Sequence, residues 1–210
     1  ALEEVNAVLR DDPEYSYALI TKALALFELG RRSESFSVFD HLWNTGIQSL
    51  PVLNNLAIHY VLENRLDDAK NFYQRALEIS PDNASIKTDL GTVFLALGEY
   101  QQGWELCESR HLTSREGGMP HLLPDLPRWK PDDKQGFNGV LFVSEQGLGD
   151  TFQFIRYVKL LREQGITCSC AVQPQLVELF KQSQVADQIY SVDNFQPDGS
   201  LLSWLPLMSL

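Results

Sequence analysis

The sequence predicts an α + α/β protein, in which an array of helical hairpins is followed by part of a parallel sheet with crossover helices. Three observations support this prediction. Similar residues recur every 34 positions in the first half of the chain. Strand-like apolar runs alternate with helical periods in the second half. A segment between them is rich in proline and lacks a helical period. We therefore assign residues 1–112 to the array, 113–137 to a connector and 138–210 to the sheet domain.

The repeat places small residues where two helices should meet. The eighth place of each unit holds Ala23, Ala57 and Gly91, and the twentieth holds Ser35, Ala69 and Gly103. Small side chains at both places allow close approach, so each unit is predicted to be a helical hairpin. The first helix should end at the fifteenth place, because the residues there adopt a left-handed conformation at low cost: Gly30, Asn64 and Gly98. The units are 16–49, 50–83 and 84 to about 112, where Arg110 stands at a place that favours a small residue. Residues 1–15 match the second half of an earlier unit, so we expect the chain to be cut at its front.

This register resembles the tetratricopeptide repeat (TPR), and its best copy is "PVLNNLAIHYVLENRLDDAKNFYQRALEISPDN". The resemblance implies a superhelix whose concave face, lined by the first helices, binds an extended peptide or a protein. The candidate groove residues are Thr21, Leu24, Asn55, Ile58, Asp89 and Thr92. A clamp for a terminal carboxylate would need several bases there, and the lining has almost none. The asparagine ladder of the protein O-GlcNAc transferases is matched only by Asn55. The groove ligand therefore stays open.

The second half alternates strands and helices with short connections. The predicted strands are "GVLFVSE", "ITCSCAV" and "QIYSV", and the predicted helices are Thr151–Gln164 and Gln175–Ser183. This order is typical of a parallel, Rossmann-like sheet with right-handed crossovers. In the connector, "HLLPDLPRW" offers Leu122, Leu123, Leu126 and Trp129 for burial. Arg156, Lys159 and Arg162 recur every three residues opposite the Phe152, Ile155 and Val158 face, and we interpret them as a solvated stripe.

The loop "QGLGD" follows the first predicted strand and has two interpretations. It lacks the third glycine of a dinucleotide fingerprint, where Phe152 stands, and it has no Walker lysine. In the structural interpretation, Asp150 and Gln153 form a helix capping box. In the functional interpretation, the loop lies at the carboxyl end of a parallel strand, where ligands of open sheets bind. There the Asp150 carboxylate could orient a hydroxyl or take its proton.

The run "EQGLGDTFQFIRYVKLL", together with "PRW" and "GWELCESR", resembles bacterial TPR proteins whose second part is a GT-B glycosyltransferase-like fold. The heptosyltransferases have the same Gly-Asp turn. The resemblance implies that Asp150 is a candidate catalytic base and that Gln146, Gly147 and Gly149 shape the acceptor loop. A GT-B enzyme holds its activated sugar mainly in a second domain, and this sequence stops at Leu210, inside the first. We therefore expect a fragment that holds no cofactor itself, with any nucleotide sugar bound by the intact parent.

Charge and composition exclude several other classes of function. The formal net charge of −11 argues against nucleic-acid binding, which needs clustered bases. The apolar runs are too short for a membrane helix, and three cysteines do not make a disulfide framework, so we expect a cytoplasmic protein. The histidines and cysteines lack metal-ligand spacing, so no metal site is predicted. A non-catalytic scaffold, with the Rossmann-like part as cap or dimer surface, is the main alternative. A nucleotide-binding regulator is a third, and oligomerisation stays open.

Overall fold

The computed structural model describes residues 2–113, 120–130, 139–196 and 199–210. Most of the predicted connector, including Gly117, Gly118 and Pro131, lies outside these residues. The chain forms two compact units, Ala1–Ser109 and Arg110–Leu210. Residues 110–112, assigned to the array from the sequence, belong to the second unit. Among the described residues, no helix is both long and apolar enough to cross a membrane.

The first unit is built from α-helices that pair as hairpins. Their bounds are α1 Leu2–Asp11, α2 Ser16–Glu28, α3 Arg32–Asn44, α4 Leu50–Leu62, α5 Leu66–Ile79, α6 Ala84–Ala96 and α7 Tyr100–Cys107. Helix α2 packs on α3, α4 on α5 and α6 on α7, and each hairpin packs on the next. The predicted hairpin array is therefore confirmed.

The first helix of each hairpin ends at the same kind of turn. Gly30, Asn64 and Gly98 have φ angles of +75°, +58° and +82°, in the left-handed region. The backbone amide of the residue after each of them donates a hydrogen bond to a carbonyl in the last turn of the helix. For example, Arg65 N donates to Tyr60 O at 2.8 Å. This bond satisfies a carbonyl that the helix end would otherwise leave unpaired. The repeated glycine or asparagine therefore sets the length of each first helix.

Close approach between paired helices explains the small residues of the repeat. Ala23, Ala57 and Ala69 are fully buried. In the third hairpin the helices come closer still, because a Cβ added to Gly91 would lie 2.8 Å from Cys107 Sγ and 2.9 Å from Gly103 O. A methyl group does not fit at that distance, so glycine replaces the alanine of the other two copies.

The second unit contains a four-stranded parallel sheet with the order β3-β2-β1-β4. In chain order its elements are β1 Val140–Val143, α8 Leu148–Glu163, β2 Cys168–Val172, α9 Val177–Ser183, β3 Gln188–Ser191 and β4 Ser203–Pro206. The sequence predicted three strands and missed β4. This strand is four residues long, ends in proline and lies in an apolar run without alternation, so it carries no period-two signal.

Both faces of the sheet are covered. Phe142, Cys168 and Cys170 face α8 and α9, together with Trp129. Leu141, Val143 and Ala171 face the other side, where Leu122 and Leu126 pack. In the connector, Trp129 is buried and Leu122 and Leu126 are half-buried against the sheet, as predicted. The prediction is wrong for Leu123, which is exposed. Continuous burial of β1 and β2 is typical of a central strand pair in a parallel sheet.

Candidate functional site

In the first unit, the candidate groove residues occupy equivalent places on α2, α4 and α6, and we call this surface the groove face. Three of the residues are exposed: Thr21, Leu24 and Thr92. Ile58 and Asp89 are half-buried. Asn55 is only 9% exposed, and its Nδ2 donates to Pro51 O at 2.8 Å. The one residue that matched an asparagine ladder therefore lies mostly beneath the surface.

The exposed hydroxyl groups of the groove face donate to their own helices. Thr21 Oγ1 donates to Tyr17 O at 2.8 Å, and Thr92 Oγ1 donates to Asp89 O at 2.7 Å. A threonine hydroxyl has one proton but two lone pairs, so each oxygen can still accept a hydrogen bond from outside. The surface therefore offers acceptors rather than donors.

The groove face also has apolar residues that the sequence reasoning did not single out. Val61 and Leu62, at the twelfth and thirteenth places of their unit, are exposed, and Leu62 is 49% exposed. They continue the helix face of Ile58, because residues three and four apart lie side by side on a helix. Leu24, Ile58, Val61 and Leu62 form what we call the apolar strip. The repeat register was sufficient to find it, since the same places recur in every unit.

His59 lies inside the first unit and is not a groove residue. Its ring centroid is 5.4 Å from that of Phe27 and 5.3 Å from that of Phe36, and Nε2 lies 3.3 Å from Ser35 Oγ. Burial in this aromatic setting lowers the pKa of His59, an effect that the nearby Glu63 carboxylate partly offsets. His59 is therefore a packing residue of the first unit.

In the second unit, a buried ion pair holds the chain where β1 ends. Glu145 is 1% exposed and Arg110 is 3% exposed. Arg110 donates from Nε to Glu145 Oε2 at 3.0 Å and from Nη2 to Oε1 at 2.9 Å. Met208 N donates to the same Oε1 at 3.0 Å. The start of the candidate loop is thus anchored by a charge-assisted, two-point contact.

The candidate loop residues follow at once and lie at the surface. Gln146 has a φ of +57°, which is uncommon for a residue other than glycine, and Gly147 and Gly149 are exposed. Asp150 is partly exposed, and its Oδ2 accepts a hydrogen bond from Gly147 N at 3.0 Å. The expected capping box of Asp150 and Gln153 is wrong, because α8 begins at Leu148 and Asp150 lies in its first turn. Asp150 instead reaches back to the residue before the helix.

A glutamine that directly follows the next strand of the sheet also contacts this loop. Gln173 follows β2 and is buried; its Oε1 accepts from Thr151 Oγ1 at 2.9 Å. Its Nε2 lies 3.4 Å from Gln146 O and 3.5 Å from Gly147 O. The predicted residues Gln146, Gly147 and Asp150 are therefore brought together at the carboxyl edge of β1 and β2. Gly149 lies in the same helical turn, and a Cβ added there meets nothing within 4 Å.

Comparison with known proteins identifies the first unit. Residues 1–106 match the family described as "Psidin, N-terminal TPR repeats region". The chain belongs to this TPR family. The family expected from the repeat register is thus confirmed.

Among curated relatives, Protein FlbA of Caulobacter vibrioides is 27% identical over 190 residues, which is 87% of this chain and 31% of FlbA. The BBSome complex member BBS4 of Bos taurus is 41% identical over 46 residues, 22% of this chain and 9% of BBS4. The chain therefore spans less than a third of either relative. The match to FlbA is longer than the first unit, so it extends into the second.

Two solved structures are similar to the TPR part. The crystal structure of MamA has a TM-score of 0.48 at 18% identity, covering 54% of this chain and 66% of MamA. YrrB, described as a TPR protein with an unusual peptide-binding site, has a TM-score of 0.46 at 18% identity, covering 50% of this chain and 55% of YrrB.

The sequence reasoning missed Glu145 and Gln173 as parts of the candidate loop. For Glu145 there was a signal, because Arg110 departs from the TPR register and the predicted apolar strand "GVLFVSE" ends in a carboxylate. For Gln173 there was none beyond its place after β2. Among the described residues, no group of three or more His, Cys, Asp or Glu side chains is placed to hold a metal ion.

Proposed function

We propose that the TPR unit binds an extended, apolar peptide segment of a partner protein that carries basic residues beside its apolar core. The observation that supports this proposal is the apolar strip on the groove face, in which Leu24, Val61 and Leu62 are exposed and Ile58 is half-buried. Exposed apolar side chains grouped on one surface favour burial against a partner.

The charges around the strip favour a basic segment over an acidic one. The sixth, ninth, twelfth and thirteenth places of the three units contain the acids Glu28 and Asp89 and no lysine or arginine. The threonine oxygens add hydrogen-bond acceptors. A terminal carboxylate would find no charged donor at these places, so the proposed ligand is an internal segment.

Fluorescence anisotropy with two synthetic, amide-capped peptides tests this proposal. One has leucine and valine at its centre and arginine on both sides, and its twin has glutamate in place of arginine. Leu62→Glu should weaken binding of the arginine peptide by about tenfold or more. Ile79→Glu, which makes the same kind of change at an exposed site on a second helix, should have little effect. Equal binding of both peptides, or equal loss in both variants, would reject the proposal.

A second candidate function is sugar transfer by a longer parent protein, with Asp150 as the base that takes the proton of an acceptor hydroxyl. Its support is the partly exposed carboxylate of Asp150 at the carboxyl edge of β1, in a loop that Gln173, the residue after β2, contacts at Gln146 O. Ligands of open parallel sheets bind at this edge. The resemblance to GT-B glycosyltransferases suggests the reaction class, in which Gln146, Gly147 and Gly149 shape the acceptor side and another domain holds a nucleotide sugar.

Asp150→Asn in the longest natural form of the protein tests this second function. The asparagine can still accept the hydrogen bond from Gly147 N, so the loop should keep its structure. Transfer from a panel of radiolabelled nucleotide sugars should fall by a factor of about a hundred or more. Transfer at the wild-type rate would remove Asp150 from catalysis. If the folded wild-type protein transfers no sugar, the second unit serves the non-catalytic scaffold instead.

A further inference from the structure

The second unit has an open groove between α8 and α9, and its lining on α8 runs from Phe152 to Glu163. Its volume is about 640 Å³. Ile155, Phe180 and Val185 line it, and two partly exposed apolar side chains stand at its mouth: Phe152, 49% exposed, and Leu179, 47% exposed. The rings of Phe152 and Phe180 meet edge to face at a centroid distance of 5.4 Å. The groove therefore has an apolar wall on both helices.

Three cations of α8 line the same groove. Arg156 and Lys159 are exposed, as expected of a solvated stripe, but the stripe does not lie opposite the apolar face. Arg156, Lys159 and Arg162 share the lining with Phe152 and Ile155, and Glu163 is the acid among the lining residues. Arg162 pairs with Asp187 at 2.7 Å. Among the described residues, Arg156 and Lys159 form no ion pair, although Arg156 Nη2 donates to Tyr157 OH at 3.0 Å. The lining is thus positive in a chain of net charge −11.

We propose that this groove binds an acidic amphipathic helix of a partner protein. A helix can lay its apolar side chains between two others when the groove has apolar walls on both. The cations recur at three-residue spacing, so they are about 4.5 Å apart along the axis of α8. Glutamates or aspartates placed three or four residues apart beside the apolar face of the incoming helix would have a similar spacing along its axis. This surface is independent of the groove face on the TPR unit.

Charge complementarity favours this occupant over an anionic membrane. A second copy of this acidic chain is the other possible occupant, and the oligomeric state without the probe distinguishes it. An anionic membrane would meet three cations beside Glu163, on a chain whose net charge is strongly negative. Both alternatives give distinct results in the experiment below.

The probe is a fluorescein-labelled synthetic helix with leucine at i, i+3, i+4 and i+7 and glutamate on both sides of that face. Binding to the full 210-residue chain is followed by anisotropy. Lys159→Glu and Leu179→Ser should each weaken binding by about tenfold or more. Lys181→Glu is the matched control, because it makes the same charge change on α9 at an exposed residue outside the lining, and it should change affinity less than about twofold.

Four results would overturn the proposal. One is equal binding of a twin probe that carries lysine in place of glutamate. Another is an equal loss of affinity in Lys159→Glu and Lys181→Glu, with circular dichroism showing that both variants are folded. The third is a protein that is dimeric by sedimentation equilibrium without the probe and becomes monomeric in Leu179→Ser, which would assign the groove to self-association. Co-sedimentation with phosphatidylserine vesicles, lost in Lys159→Glu while the peptide probe fails to bind, would assign it to a membrane surface.

Discussion

The contact at Gly91 is a tight steric constraint on the backbone of the first unit. Gly91→Ala would place a methyl group 2.9 Å from two backbone atoms, Cys107 N and Gly103 O, which cannot move as freely as a side chain. We expect the variant to lose about 1–3 kcal/mol of stability as the helices of the third hairpin separate. Urea denaturation measures this loss. Gly149→Ala is the control, since its Cβ has open space within a helix, and it should gain about 0.5 kcal/mol.

His59 should make the stability of the first unit depend on pH. Burial lowers its pKa in the folded state below the usual value, with a smaller contribution from Arg32, so the folded protein favours the neutral ring. The stabilising contribution is complete above about pH 6.5, and it is lost as the pH falls through the lowered pKa, because the unfolded chain binds the proton first.

Thermal unfolding between about pH 7 and pH 5 checks this dependence on His59. Replacement by a neutral residue, His59→Gln, should flatten the fall in Tm across this range. His41→Gln changes an exposed histidine that pairs with Glu14, and it should leave the fall in place. Identical pH profiles of the wild type and His59→Gln would contradict the assignment of a neutral, buried imidazole.

The position of the loop after β1 depends on the ion pair of Arg110 and Glu145 more than on the loop's glycines. Arg110→Met should cost about 3–5 kcal/mol, because it leaves the Glu145 carboxylate buried without its partner charge. Glu145→Gln removes the charge and keeps an acceptor for Met208 N. The double variant should therefore be more stable than Arg110→Met alone. If the stability losses of Arg110→Met and Glu145→Gln simply add in the double variant, the two side chains are not coupled and the ion pair does not anchor the loop.

Helical hairpins were predictable here because the chain gives several copies of the same signal. A single glycine at residue 30 would be ambiguous, but Gly30, Asn64 and Gly98 at equal spacing locate three helix ends. Strand β4 has no such redundancy. It is held by pairing with β1 and by Trp129 N donating to Trp204 O at 2.8 Å, and both contacts join residues distant in sequence.

The candidate loop was predictable in place but not in detail. Its position after a buried strand follows from the order of strands and helices, and so does the neighbourhood of Gln146, Gly147 and Asp150. The start of α8 at Leu148 does not follow, because Gly147 and Gly149 argue against an early helix on propensity alone. The bond from Gly147 N to Asp150 offsets that cost by satisfying an amide at the helix start.

The molecule as a whole carries a natural reporter of how its two units unfold. Its three cysteines are buried thiols, with Cys107 in the first unit and Cys168 and Cys170 in the second. Burial raises the pKa of Cys168 to about 12 and raises that of Cys170 as well, so neither thiol ionises near neutral pH in the folded state. We expect Ellman's reagent to label no thiol of the native protein on the time scale of minutes.

As the urea concentration rises, the number of thiols that react with the reagent should report which unit has unfolded. If the units unfold separately, one third of the total label appears with the first unit and two thirds with the second, because the cysteines divide one to two. Cys107→Ser should remove only the one-third step, and Cys168→Ser with Cys170→Ser should remove the other. A single step that contains all three thiols would mean that both units unfold as one cooperative block. Rapid labelling of Cys168 in the native protein would contradict the burial of β2 at the centre of the sheet.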